Sequence, residues 1–207
     1  MAHDVAGRDT PAGGRRIASV CVFCGSSAGS KPEYGAAAAG LGREIGRRGL
    51  GLVYGGGNIG SMGVLARSAL EAGAHVTGII PRRLYDLVEH VDLDELIVAE
   101  TMHERKAGMN ERADAFVAMP GGIGTLDELF EAWTLRQLGF HDKPVGLLNT
   151  LGFYDPLVLF LRRVANEGFL REFMLDDLLV DEDPGRLLDR LESAPPIREP
   201  KLAERHR

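Results

Sequence analysis

Residues 51–81 read GLVYGGGNIGSMGVLARSALEAGAHVTGIIP, and their order decides the fold. The run "GLVYGG" is short and apolar, "GSMGVLARSALEAG" spaces its apolar residues as a helix does and closes on glycine, and "HVTGIIP" is again β-branched. Strand, glycine loop, helix, strand is one βαβ unit, which puts two parallel strands side by side through a right-handed crossover.

The pattern repeats in both directions. "RRIASVCVF", "ELIVAE", "AFVAMP" and "PVGLLN" predict further strands. "PEYGAAAAGLGREIGRRG", "MHERKAGMNERAD", "TLDELFEAWTLRQLG", "YDPLVLFLRRVANEG" and "DPGRLLDRLES" predict helices. Most strands are apolar on successive residues, as a sheet covered on both faces requires. The expectation is an α/β fold, a Rossmann-like doubly wound parallel sheet forming a single nucleotide-binding domain over residues 15–194. Residues 1–14 and 195–207 lack hydrophobic periodicity and are expected to be a mobile N-terminus and a mobile C-terminal tail.

Composition narrows the function. With 207 residues, 44% hydrophobic, 26% charged and a net charge of −6, the chain has the balance of an ordinary globular protein. It lacks the cationic surplus of a nucleic-acid or membrane-surface binder. No apolar run approaches the ~20 residues of a membrane span, and no signal core opens the chain, so a cytoplasmic location is expected. Cys21 and Cys24 form a C-x-x-C inside a strand pattern, with no other cysteine to complete a zinc site. They read as structural thiols.

Ligands of such sheets lie beyond the carboxyl ends of the strands. Three loops there are rich in glycine or small residues: "CGSSAGS" with Ser26, "YGGGNIGSMG" with Gly56 and Gly57, and "MPGGIGT". The second matches G-x-G-x-x-G, but the following strand ends in Arg82 and Arg83 rather than an acid, which disfavours NAD and leaves NADP open. The third combines Gly121, Gly122, Gly124 and Thr125 at a helix start, which suits one phosphate. No P-loop lysine is present, so a triphosphate is not expected.

Thr125-x-x-Glu128 also matches a capping box, in which Glu128 would bond back to the Thr125 backbone. Yet Asp127 and Glu128 then crowd two carboxylates beside the phosphate loop, and an adjacent cation is required. Arg105 and Lys106, at the start of the helix after "ELIVAE", can supply it. Met102 and Met109 lie three and four residues from Arg105 and lay an apolar stripe along its stem, while a solvated helix face is the equally weighted reading of the pair. Glu128, Glu131 and Thr134 share one side of their helix, so Thr134 could line the same pocket or lie exposed.

The motifs "MHERK", Met102 to Lys106, and "PGGIGTLDE", Pro120 to Glu128, resemble the LONELY GUY family of cytokinin riboside 5′-monophosphate phosphoribohydrolases. The resemblance runs from "CVFCGSS" to "NEGF", about residues 17–169. It implies hydrolysis of the N-glycosidic bond of N6-substituted adenosine 5′-monophosphates to free base and ribose 5-phosphate, with no metal or cofactor. It also implies catalytic roles for Arg105 and Glu128. Substrate contacts fall to Lys106, the glycine and threonine loop, Thr134 and a further glutamate, best matched by Glu89. A homodimer is implied too. Two other classes stand beside this one: a non-catalytic carrier of a phosphorylated nucleotide-like cofactor, and an NADP-dependent oxidoreductase.

Overall fold

In the computed structural model, which describes residues 16–87 and 92–197, β1 (Ser19–Phe23) is the pivot. It pairs in parallel with β2 (Gly51–Tyr54) on one side and β5 (Ala115–Ala118) on the other. Outside β2 lie β3 (Val76–Pro81) and β4 (Glu95–Ala99); outside β5 lie β6 (Val145–Leu148) and β7 (Leu178–Asp181). Every pairing is parallel, and the order is β4-β3-β2-β1-β5-β6-β7. The described residues thus form a single domain around one doubly wound sheet, as expected. The strand order reverses between β1 and β5, so the loops after those strands part there and open a crevice.

Alternation along β1 divides the core. Val20 and Val22 point to one face, where Leu41 and Ile45 of α1 (Pro32–Arg47), Leu65 and Ala69 of α2 (Gly60–Glu71) and Leu187 of α8 (Pro184–Glu192) cover them. Cys21 and Phe23 point to the other. There Met109 of α4 (Met102–Arg112), Leu129 and Trp133 of α5 (Ile123–Leu138), Leu161 of α6 (Asp155–Asn166) and Met174 of α7 (Glu172–Asp177) pack. A short α3 (Arg82–Tyr85) follows β3.

Three features depart from the sequence reading. β7 and α7 fill the acidic stretch 172–181, where no periodic pattern marks them. The C-terminal boundary lies later than residue 194, because the Pro195 carbonyl accepts a hydrogen bond from Arg136 at 3.1 Å and Ile197 packs against the core. The third departure is the start of α5, which begins at Ile123 with Gly122 as N-cap. Thr125 is therefore a buried first-turn residue, and Asp127 and Glu128 lie beyond the first turn. The capping box of Thr125 and Glu128 does not form, since Glu128 is too far along the helix to reach a free N–H at its start. A variant of the box forms instead at α4, where the Thr101 hydroxyl accepts from the Glu104 N–H at 3.1 Å and the Glu104 carboxylate accepts from the N–H of Glu100, the residue before the cap, at 3.0 Å.

Candidate active site

That box fixes the first turn of α4, and Arg105 follows in the next position. Its side chain turns under the sheet's carboxyl edge and is only 8% exposed. Nε donates to the Ile79 carbonyl of β3 at 3.0 Å, and Nη1 donates to Glu128 Oε1 of α5 at 2.5 Å. Glu128, freed from any cap, is the partly buried half of an ion pair with a buried guanidinium fixed at two points.

The glycine loop after β2 makes room for this arginine. A Cβ on Gly55 would stand 2.5 Å from Arg105 Nη2, so only glycine admits the guanidinium there. Gly56 and Gly60 have φ of +77° and +56°, and a Cβ on Gly60 would stand 2.5 Å from the Ser26 backbone. The loops after β1 and β2 are locked together in this way. Arg82, the candidate for an NADP phosphate, is engaged with Glu100 at 3.0 Å in solvent, and Arg83 is exposed.

At the reversal between β1 and β5, Ser26 and Gly25 face Gly121 and Gly122 across a hollow that Ser61, Tyr34 and Phe153 complete. The N-terminus of α5 opens here. A Cβ on Gly122 or Gly124 would meet nothing within 4 Å, so an anion can approach the backbone N–H groups without displacing a side chain. Thr125 is buried with its hydroxyl against Gly121.

Past the ion pair, α4 and α5 wall a cleft. The α4 wall is His103, Lys106, Ala107 and Asn110; the α5 wall is Glu128, Glu131, Ala132 and Leu135. Each set is spaced i, i+3, i+4, i+7, one stripe of a helix. Phe23, Met109 and Phe116 form its apolar floor, with the two phenylalanines stacked at 5.7 Å. Lys106 pairs with Asp127 at 3.2 Å and, closely, with Glu131. Its hydrogen bond to Glu131 is the chief cause that raises its pKa above the ordinary lysine value.

The structure thus brings together Arg105, Lys106 and Glu128, with Ser26, Gly121, Gly122, Gly124 and Thr125 at the neighbouring hollow. Gly56 and Gly57 are buried beside the arginine's loop, and Met102 is half exposed on the first turn of α4. Thr134 is exposed and does not line the cleft; Leu135 takes the next place on the stripe. Glu89 lies outside the described residues. His103, Asn110 and Leu135 were not singled out from sequence, although the stripe spacing from Lys106 and Glu128 points to each. Cys21 and Cys24 are free and buried, and burial pushes the Cys24 thiol up to about 12 and Cys21 well above its ordinary value. Neither is disposed to redox chemistry. Among the described residues no group of three or more acidic, histidine or cysteine side chains could hold a metal ion, and no helix is long and apolar enough to cross a membrane.

A family model described as "Possible lysine decarboxylase" matches residues 62–191. The chain is 48% identical over 157 residues to a probable cytokinin riboside 5′-monophosphate phosphoribohydrolase of Oryza sativa subsp. japonica, covering 75% of this chain and 70% of that protein. It is 44% identical over 190 residues to a cytokinin riboside 5′-monophosphate phosphoribohydrolase of Arabidopsis thaliana, covering 91% and 83%. Among solved structures it is similar to the molybdenum cofactor binding protein of Rippkaea orientalis, with a TM-score of 0.65, 24% identity and coverage of 86% and 97%. The molybdenum cofactor carrier protein of Chlamydomonas reinhardtii gives a TM-score of 0.63 at 24% identity, with coverage of 84% and 96%. At that identity the structural likeness shows the fold alone.

Proposed function

The chain belongs to the family of cytokinin riboside 5′-monophosphate phosphoribohydrolases, and from that premise we propose that it hydrolyses the N-glycosidic bond of N6-substituted adenosine 5′-monophosphates, releasing the free base and ribose 5-phosphate. The observation that carries the reading is the ion pair of Arg105 and Glu128, set between a phosphate-shaped hollow and a cleft with an apolar floor.

The spacing suits a nucleotide monophosphate. Five residues of helix separate Ile123 from Glu128, about 7.5 Å of rise. A 5′-phosphate at the N-terminus of α5 therefore puts the sugar beside Glu128 and the base in the cleft. Cleavage builds positive charge on the sugar's anomeric carbon, and a fixed carboxylate stabilises that charge, attacks it, or orients the water that does. Arg105 holds the carboxylate in place and offsets charge on the phosphate or the leaving base. Lys106 stands at the cleft mouth as a second cation, released to the substrate as Glu131 and Asp127 let it go.

Lysine decarboxylation finds less support. A Schiff-base lysine must lose its proton, and Lys106 is held as an ammonium by two carboxylates. A carrier role draws on fold likeness alone, and an NADP-dependent oxidoreductase leaves the paired Glu128 without a task. A homodimer in the cytoplasm completes the proposal. The half-exposed or exposed Leu159 and Phe160 on α6, with Phe169 beyond it, support a twofold contact.

The test is incubation of the purified protein with adenosine monophosphate and isopentenyladenosine monophosphate. Free base and ribose 5-phosphate in equal amounts are expected from at least the second. Binding of both without cleavage would overturn hydrolysis in favour of a carrier.

A further inference from the structure

Asn110 lines the cleft together with the apolar Met109, Phe116 and Leu135, and nothing assigned above uses its side chain. It sits one turn beyond Lys106 on the same stripe of α4, about 6 Å further from the phosphate hollow. Its main-chain carbonyl is engaged, accepting from Lys143 Nζ at 2.6 Å. Its side-chain oxygen Oδ1 is buried and has no hydrogen-bond partner. A buried carbonyl oxygen left unpaired is unfavourable, and structures keep such groups where something else completes them.

We propose that Asn110 determines base specificity by reading the 6-amino edge of the purine. Resting on the hydrolase reading above, this places the anomeric carbon beside Glu128 and the base between the two walls over Phe23 and Phe116. The distance from anomeric carbon to the exocyclic nitrogen of adenine is about that between the levels of Lys106 and Asn110 on α4. An N6-substituted adenine keeps one N6–H. With the carboxamide turned about its Cβ–Cγ bond toward the base, Oδ1, buried in the free protein, accepts that proton while the amide nitrogen donates to N7, the bidentate pairing by which asparagine selects adenine. Donation to N7 draws electron density from the base as the glycosidic bond breaks, so the contact strengthens toward the transition state. A 6-oxo purine offers an acceptor where Oδ1 needs a donor, and two acceptors repel.

The experiment compares adenosine monophosphate with inosine monophosphate in the whole protein, carrying Asn110, Asn110→Leu or Asn110→Ala. The unsubstituted protein should favour the 6-amino substrate in kcat/KM. Each substitution should cut that preference roughly ten- to a hundredfold, by loss on the 6-amino substrate. Inhibition by ribose 5-phosphate, which does not reach Asn110, should be unchanged. Asn110→Leu removes a buried unpaired oxygen at similar volume, so its melting temperature should equal or exceed that of the unsubstituted protein.

Three results would overturn the proposal: no preference between the two substrates in the unsubstituted protein, an equal fall on both in the variants, or a lowered melting temperature in Asn110→Leu, which would mark a structural asparagine. If the unsubstituted protein cleaves no nucleoside monophosphate at all, the hydrolase reading itself fails, and that outcome is distinct from each of these three.

Discussion

Glu128 shows how a local motif and a tertiary contact can claim the same carboxylate. In isolation, Thr125-x-x-Glu128 reads as a cap; in the fold, the helix starts earlier and Arg105 takes the carboxylate at 2.5 Å. Glu128→Gln keeps the size and one acceptor but loses the charge. Turnover should fall about a hundredfold or more, the scale of a lost reacting carboxylate. The fold should survive at a cost of about 1–3 kcal/mol, that of weakening one charged hydrogen bond. Single-turnover release of base together with urea unfolding separates the two effects, and near-normal turnover would take Glu128 out of the chemistry. Arg105→Lys tests the other partner. An ammonium keeps the charge but cannot hold Ile79 O and Glu128 at once with a planar fork. Activity should drop at least tenfold by the same assay, and an unchanged rate would mean that charge alone suffices.

At the scale of elements, the sheet was legible and its edges were not. Six strands and six helices follow from alternating periodicity, because each is long enough, or apolar enough, to carry its own signal. β7, "LLVD", and α7, "EFMLDD", are four and six residues in an acidic stretch, and they exist because β6 and the Arg136 side chain hold them from outside. Arg136 was invisible for a related reason. A charge buried in α5 is stable only through partners distant in sequence: it grips both oxygens of Asp177 at 2.6 Å and the carbonyls of Asp142 and Pro195. Likewise the sequence offered Arg105 and Glu128 as candidates, but their contact depends on α4 and α5 lying on one face across the strand reversal. Loop glycines belong to this scale too. Gly60→Ala would drive a Cβ into the Ser26 backbone at a φ of +56°. The cost should be about 2 kcal/mol or more by chemical unfolding. Substrate affinity should fall along with it, because the loops after β1 and β2 must separate. A substitution that leaves both unaffected would show that the loops are not locked.

Across the whole molecule, one buried group sets a pH window for folding that is distinct from the chemistry. His141 lies behind the cleft floor, with its ring 5.5 Å from Phe116 and its Nδ1 accepting from the Lys143 N–H at 3.2 Å. Burial first, and then the charges of Lys143 and Arg136, lower its pKa from 6.5 to about 4. The unfolded chain therefore binds a proton below pH 6.5 that the folded protein refuses until about pH 4. Stability is full above the upper value and drains as pH falls between the two. The carboxylates held low by arginines, Glu44 near 2 among them, act further down, below their ordinary value of 4.5. The shift of His141 acts above them, from 6.5 down to about 4. Its slope should lie below the ~1.4 kcal/mol per pH unit of one fully excluded proton. The ring keeps some solvent contact, which weakens the exclusion. Urea midpoints measured across that interval should fall steadily in the unsubstituted protein and stay level in His141→Gln, which retains an acceptor for the Lys143 N–H. A slope that persists in the variant would assign the acid sensitivity to another group, and a level profile in the unsubstituted protein would mean that His141 takes up its proton in the folded state as readily as in the unfolded chain.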